Sequence, residues 1–135
     1  MIAVDTNVVV RLLVGDDAHQ AQLARQLFDD HADQDGSLWL SDVVVVEIAW
    51  TLARAYDRSR ADIATALTAL VRHATVALES ATDIRAALVL YEKGPADFAD
   101  CLLSVKAQRQ GCDAVVTFDR KMRHLAGVTL LGTVN

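Results

Sequence analysis

The sequence predicts a single α/β domain, residues 1–135, built on a parallel sheet of about five strands with helices on both faces. Three observations lead there. Short apolar stretches alternate with longer amphipathic segments along the chain, the pattern of strands joined by helical crossovers. The first stretch, Met1–Val4, carries no polar side chain, as expected of a strand buried on both faces. Hydrophobic content of 53%, with 23% charged residues and one proline, suits a packed core rather than disorder. One domain of this length buries roughly 65–70% of its unfolded surface.

The first seven residues, Met1-Ile2-Ala3-Val4-Asp5-Thr6-Asn7, read as a strand closed by a carboxylate, a hydroxyl and an amide. Asp5 therefore stands where ligands bind in open α/β sheets, outside the carboxyl end of a strand. Val8, Val9, Leu12 and Leu13 give a short helical pattern that stops at Gly15, a natural C-cap. Asp17, with Gln20 three residues on, opens a helix whose buried stripe is Leu23, Ala24, Leu27 and Phe28. Asp33-Gln34-Asp35-Gly36 is turn chemistry, and Ser37 to Leu40 is the second strand.

Ser41 and Asp42 cap a third helix that runs to about Tyr56. Within it Glu47 is the one acid in the stretch from Val43 to Trp50, and positions three and four away hold Val43, Val44, Trp50 and Thr51. A charge so placed needs a partner from elsewhere. Ser59-x-x-Asp62 caps a helix with Ile63, Leu67, Leu70, Val71 and Ala74 on one face. Val76 to Leu78 is the third strand. Thr82 to Lys93 is a helix with Ile84, Ala87, Leu88 and Tyr91 inward, stopped by Gly94-Pro95.

Asp97 and Asp100 open a helix that reaches about Gln110, with Phe98, Cys101, Leu102 and Val105 on one side. Ala114 to Thr117 is the fourth strand. Phe118-Asp119 turns into a short basic helix through Met122, and Val128 to Leu131 is the fifth strand.

Composition excludes several functions. No aliphatic run, Val43 to Val46 included, is long enough to cross a bilayer. The N-terminus has no basic segment before an apolar core and an acid at position 5, so no signal peptide is expected and the protein should be cytoplasmic. Cys101 and Cys112 fit no paired metal or redox spacing and read as buried free thiols. His19, His31, His73 and His124 form no metal-binding pair. Any metal should therefore be held by oxygen, which favours magnesium or manganese. A net charge of −5 disfavours a sequence-blind nucleic-acid binder. It leaves room for a metal-dependent nuclease, because carboxylates that hold divalent ions no longer act as bare negative charge.

Four carboxylates share one kind of placement. Asp5 follows strand one, Glu47 lies in the helix after strand two, Asp100 is in a first helical turn, and Asp119 follows strand four. In a doubly wound sheet these positions lie at one edge. Asp97 is on the same side of its helix as Asp100, and Thr6, Asn7 and Thr117 add neutral polar groups able to orient a ligating carboxylate. Each acid alone has a structural reading, since Asp5, Asp97 and Asp119 are good N-caps and Asp100 suits the helix dipole. Together they suit phosphodiester hydrolysis, in which carboxylates that would repel one another hold divalent ions that activate water.

These stretches resemble a known family. Met-Ile-Ala-Val-Asp-Thr-Asn at the start, Val-Val-Glu-Ile-Ala-Trp in the middle, Ala-Asp-Phe-Ala-Asp-Cys-Leu-Leu and Val-Val-Thr-Phe-Asp-Arg-Lys-Met near the end are similar, in order, to the motifs of PIN-domain ribonucleases, in particular the VapC-type toxins of type II toxin–antitoxin modules. The resemblance implies a three-layer α/β/α sandwich and a Mg²⁺- or Mn²⁺-dependent endoribonuclease. Its catalytic acids would be Asp5, Glu47, Asp100 and Asp119, with Asp97 as an auxiliary metal ligand and Thr6 and Thr117 beside the metal. It also implies a homodimer, and a VapB-like antitoxin that lies across the active-site groove, with DNA engaged only through that antitoxin. The stretch Asp42 to Ala74, with Trp50 and Tyr56, resembles the antitoxin-binding and dimerising surface, with core packing as the alternative. Arg11, Lys93, Arg120 and Lys121 are candidate RNA contacts or ordinary surface charges.

Rival readings are weaker. A haloacid-dehalogenase phosphatase needs a second Asp two residues after the first, where this chain has Asn7. A receiver domain needs an Asp after a middle strand and a Lys after the last, whereas Glu79-Ser80 follows strand three and no Lys follows Lys121. A PIN fold that is catalytically idle and acts through its antitoxin is the alternative from another class, and the intact acidic set speaks against it.

Overall fold

A computed structural model describes residues 1–132. It packs as two compact units, Met1–Ala81 and Thr82–Asn135. The first holds β1 (Ile2–Ala3), α1 (Thr6–Val14), α2 (Ala18–Asp30), β2 (Leu38–Leu40), α3 (Asp42–Arg54), α4 (Arg60–Arg72) and β3 (Val76–Leu78). The second begins within α5 (Ala81–Lys93) and continues with α6 (Phe98–Arg109), β4 (Val115–Thr117), a 3₁₀ turn at Arg120–Met122 and β5 (Val128–Leu130).

Every strand pairing is parallel, and the α/β class holds. In the first unit Ile2 pairs with Leu38, and Leu38 with Val76, giving the order β1-β2-β3. In the second, Val115 pairs with Val128. The five strands are thus hydrogen-bonded as a three-stranded and a two-stranded sheet, where the sequence suggested one. Strands of two or three residues make few ladder bonds each, so neighbouring helices must hold them. The expectation that Met1–Val4 is buried throughout also fails. Val4 is buried, but Ile2 and Ala3 are exposed on an edge strand.

The helices begin where short polar side chains can replace missing backbone partners. Asp17 accepts from Gln20 N–H at 2.9 Å, Ser41 Oγ from Val44 N–H at 3.2 Å, and Ser59 Oγ from Asp62 N–H at 3.1 Å. Gly15 ends α1 at φ 71°, a left-handed conformation that glycine adopts without Cβ strain.

In the first unit Val9, Leu38, Leu40, Ile48 and Leu67 form the deepest core. Phe28 meets His73 edge-on, centroids 5.4 Å apart. The second unit is centred on Ile84, Ala87, Phe98 and Cys101, with Tyr91 edge-on to Phe98 at 6.0 Å.

Several apolar assignments shift. In α2, Ala21 takes the buried position expected of Leu23, which is exposed, because the inward face follows residues 21, 24 and 28. Ala74 lies beyond the end of α4 and is exposed, and Val71 is half-buried. Cys101 is buried as expected, but Cys112, just past Gly111, is exposed. No described helix is long and apolar enough to cross a membrane.

Candidate active site

In the first unit Asp5 is the N-cap of α1, with extended backbone and a carboxylate that accepts the Thr6 N–H at 2.7 Å. Thr6 is buried, and its hydroxyl donates to Glu47 Oε2 at 3.0 Å. One residue therefore holds two of the candidate acids, one through its backbone and one through its side chain. Glu47 has found a partner, but a neutral one, and it is exposed.

The reason lies in how α3 is turned. Val45, Ile48, Ala49 and Leu52 face inward, while Val43, Glu47, Trp50 and Arg54 are exposed. The apolar run around Glu47 is thus divided between two faces. Trp50 is 61% exposed, which removes core packing as its explanation, and the Arg54 guanidinium lies 6.0 Å from its ring centroid. Asn7 is exposed in the first turn of α1.

The second unit carries the other acids. Asp97 occupies the N-cap position of α6, yet its side chain makes no cap hydrogen bond. Asp100, one turn on, instead accepts from the Asp97 backbone N–H, the reaching-back half of a capping box. The Asp100 pKa is raised from its ordinary value. Burial is the largest cause, followed by the negative charges of Asp97 and Asp119, while the Asp97 N–H and the Lys121 ammonium oppose the shift. Asp119 follows β4, and its carboxylate accepts the Lys121 N–H at 2.9 Å. Its own N–H donates to Thr117 Oγ1 at 3.0 Å. Thr117 thus fixes the backbone that presents Asp119.

The candidate acids come as a Thr6-linked pair, Asp5 and Glu47, in one unit and, in the other, as Asp100 with Asp97 and Asp119 near enough to disfavour its charge. Among the described residues no three His, Cys, Asp or Glu side chains stand close enough together to hold a metal ion by themselves. The donor set is nevertheless all carboxylate and hydroxyl oxygen, the chemistry that hard cations such as Mg²⁺ and Mn²⁺ prefer. Asp100, whose charge is disfavoured by burial and by two like charges, is a position where a cation would relieve an existing cost.

The candidate RNA contacts differ in their surroundings. Arg11 is engaged within the first unit, with Nε on Gln20 Oε1 at 2.6 Å and Nη1 on Tyr56 Oη at 3.0 Å and Asp16 Oδ1 at 3.4 Å. Lys93, Arg120 and Lys121 are exposed.

Sequence reading missed Asp83. It is buried in α5 and ion-paired with Arg109 and, at 3.5 Å, with Lys106 of α6. Its partners lie 23 and 26 positions away, outside any local spacing rule. Its work is to join α5 to α6.

The chain is thus a parallel α/β protein with acids after β1, in α3, at the start of α6 and after β4. The PIN domain model matches residues 2–128, and the chain belongs to the PIN domain family. Over 130 residues it is 29% identical to the VapC ribonuclease of Aquifex aeolicus (strain VF5), a match that covers 96% of each chain.

Proposed function

We infer that this protein is a metal-dependent endoribonuclease, the toxin of a type II toxin–antitoxin module. The reading is supported by membership of the PIN family and by similarity to a relative named as a VapC ribonuclease. The observation that carries it is the Asp97, Asp100 and Asp119 group, in which burial and like charge raise the proton affinity of Asp100.

The acids that would hold Mg²⁺ or Mn²⁺ are Asp5 and Glu47 of the first unit and Asp97, Asp100 and Asp119 of the second, with Asp5, Glu47, Asp100 and Asp119 as the catalytic set. When bound, a divalent ion supplies Lewis-acid polarisation of the phosphate and a nucleophilic water at neutral pH. Thr6 keeps the Glu47 carboxylate and the Asp5 carboxylate in fixed orientations. Thr117 holds the backbone of Asp119. Water attacks phosphorus, the bond to the 3′ oxygen breaks, and the products carry a 3′-hydroxyl and a 5′-phosphate.

Arg120, Lys121 and Lys93 are available to RNA phosphates. Arg11, already tied to Asp16, Gln20 and Tyr56, is the least available of the four. We further infer a cytoplasmic homodimer, restrained by a VapB-like antitoxin that engages DNA on its behalf. Cleavage of a cellular RNA panel by the antitoxin-free protein should require Mg²⁺ or Mn²⁺. It should be abolished in Asp5→Ala and Asp100→Asn. Equal cleavage by those variants would exclude the assignment.

A further inference from the structure

We propose that Phe118, with Arg120 and Lys121, forms a stacking platform for the base of an unpaired RNA nucleotide next to the scissile phosphate. The proposal rests on the ribonuclease reading above.

Phe118 lies between Thr117 and Asp119, and it is 80% exposed. The alternation along β4 explains why. Val115 is buried and Val116 exposed, and the same period turns Phe118 outward. Core positions draw aromatic rings in, so an aromatic left almost wholly in water has no packing role to account for it. A singly exposed hydrophobic residue means little by itself. What distinguishes this one is its setting.

The two residues after Asp119 are Arg120 and Lys121, both exposed, in a chain whose net charge is −5. The 3₁₀ turn that carries them is fixed to Asp119 by the Lys121 N–H, at 2.9 Å. Lys121 is also near enough to Asp100 to offset its charge. Five consecutive residues thus present a backbone-fixing hydroxyl, an exposed ring, a candidate catalytic acid and two cations. An exposed ring followed in the chain by an acid and two exposed cations matches a nucleotide, which has a π-face and a phosphate. It matches an aliphatic protein surface less well, because the cations would be desolvated without partners. Bases inside a duplex are already stacked, so the platform selects single-stranded or looped RNA.

The test uses the full-length protein in the Asp100→Asn background, to prevent cleavage. Its probe is a 12-nucleotide single-stranded RNA of mixed sequence containing 2-aminopurine, whose fluorescence is quenched on stacking. The expected result is quenching on binding. Phe118→Ala should abolish it and weaken affinity about tenfold, and Phe118→Trp should retain it. The same RNA in a duplex should bind with no quenching difference between the variants. Unchanged affinity and quenching in a folded Phe118→Ala protein would overturn the proposal while leaving the ribonuclease reading intact. So would a Phe118→Ala variant with altered oligomeric state and unaltered RNA binding, which would assign the ring to a protein interface. Failure of the parent protein to bind any RNA, together with no metal-dependent cleavage by the wild type, would overturn both.

Discussion

The Thr6 hydroxyl donates to the Glu47 carboxylate at 3.0 Å across 41 positions of sequence, while the Thr6 N–H holds Asp5 at 2.7 Å. This residue couples the start of α1 to the middle of α3. Replacing it tests orientation without removing charge. Thr6→Val keeps the shape and deletes the donor, and the rate of RNA cleavage should fall about 10- to 100-fold, the usual cost of losing a group that orients a metal-ligating side chain. Thr6→Ser should retain most activity. A fully active Thr6→Val protein would show that the hydrogen bond orients nothing of consequence.

For Asp100, activity and stability are predicted to move in opposite directions on substitution. Its native pKa is raised, chiefly by burial and then by Asp97 and Asp119. The native state therefore favours the protonated form. The associated stabilisation is present at acid pH, below the unfolded pKa, and is lost as pH rises through the native value. At neutral pH the ionised group is a net burden, moderated by its partial solvent access. Asp100→Asn should melt at a slightly higher temperature than wild type at pH 7, with the difference shrinking towards pH 3, even as cleavage falls more than about a hundredfold. A lower melting temperature at pH 7 would contradict this.

The Asp83 pairing with Arg109 and Lys106 is structural. Asp83 is buried whereas its partners reach solvent, their side chains 55% and 38% exposed. Deleting the acid leaves cations that water can take up. Asp83→Ala should cost about 1–2 kcal/mol in urea unfolding, at the low end for charged hydrogen bonds. Arg109→Ala should cost at least as much, because it leaves a buried carboxylate with one partner fewer. Both should spare Mn²⁺ binding.

Tyr56 donates to Asp16 at 2.8 Å and is the main cause of that carboxyl's lowered pKa; desolvation opposes it, and the Arg11 charge adds to it. A lowered native pKa contributes stability above the unfolded value and loses it as pH falls through the native one. Tyr56→Phe should shift the onset of acid unfolding to higher pH, and the two proteins should converge at the acid end. Circular dichroism across a pH series would read this directly.

The elements were largely legible because their causes are local. Asp17, Ser41 and Ser59 each announce a helix by the short polar group that caps it, and each makes that hydrogen bond. Ile84, Ala87, Leu88 and Tyr91 keep helical spacing and are all buried. Periodicity failed where both faces of a helix are apolar. Around Glu47 it could not reveal that Val43 and Trp50 face out while Val45 and Ile48 face in. Sheet connectivity was also beyond it, since strands of two or three residues carry too little pattern to specify partners. Non-local pairs were hidden for the same reason. Nothing in the spacing of Thr6 and Glu47, or of Asp83 and Arg109, indicates that they meet.

The chemistry of the RNA ends tests the central claim most directly. Purified protein should cut single-stranded RNA only with Mg²⁺ or Mn²⁺ present. Every new terminus should carry a 5′-phosphate opposite a 3′-hydroxyl, as water attack requires. New termini with a 5′-hydroxyl and a 2′,3′-cyclic phosphate, formed equally well in EDTA, would mean that the 2′-hydroxyl is the nucleophile and that the carboxylates are not a metal-dependent catalytic centre.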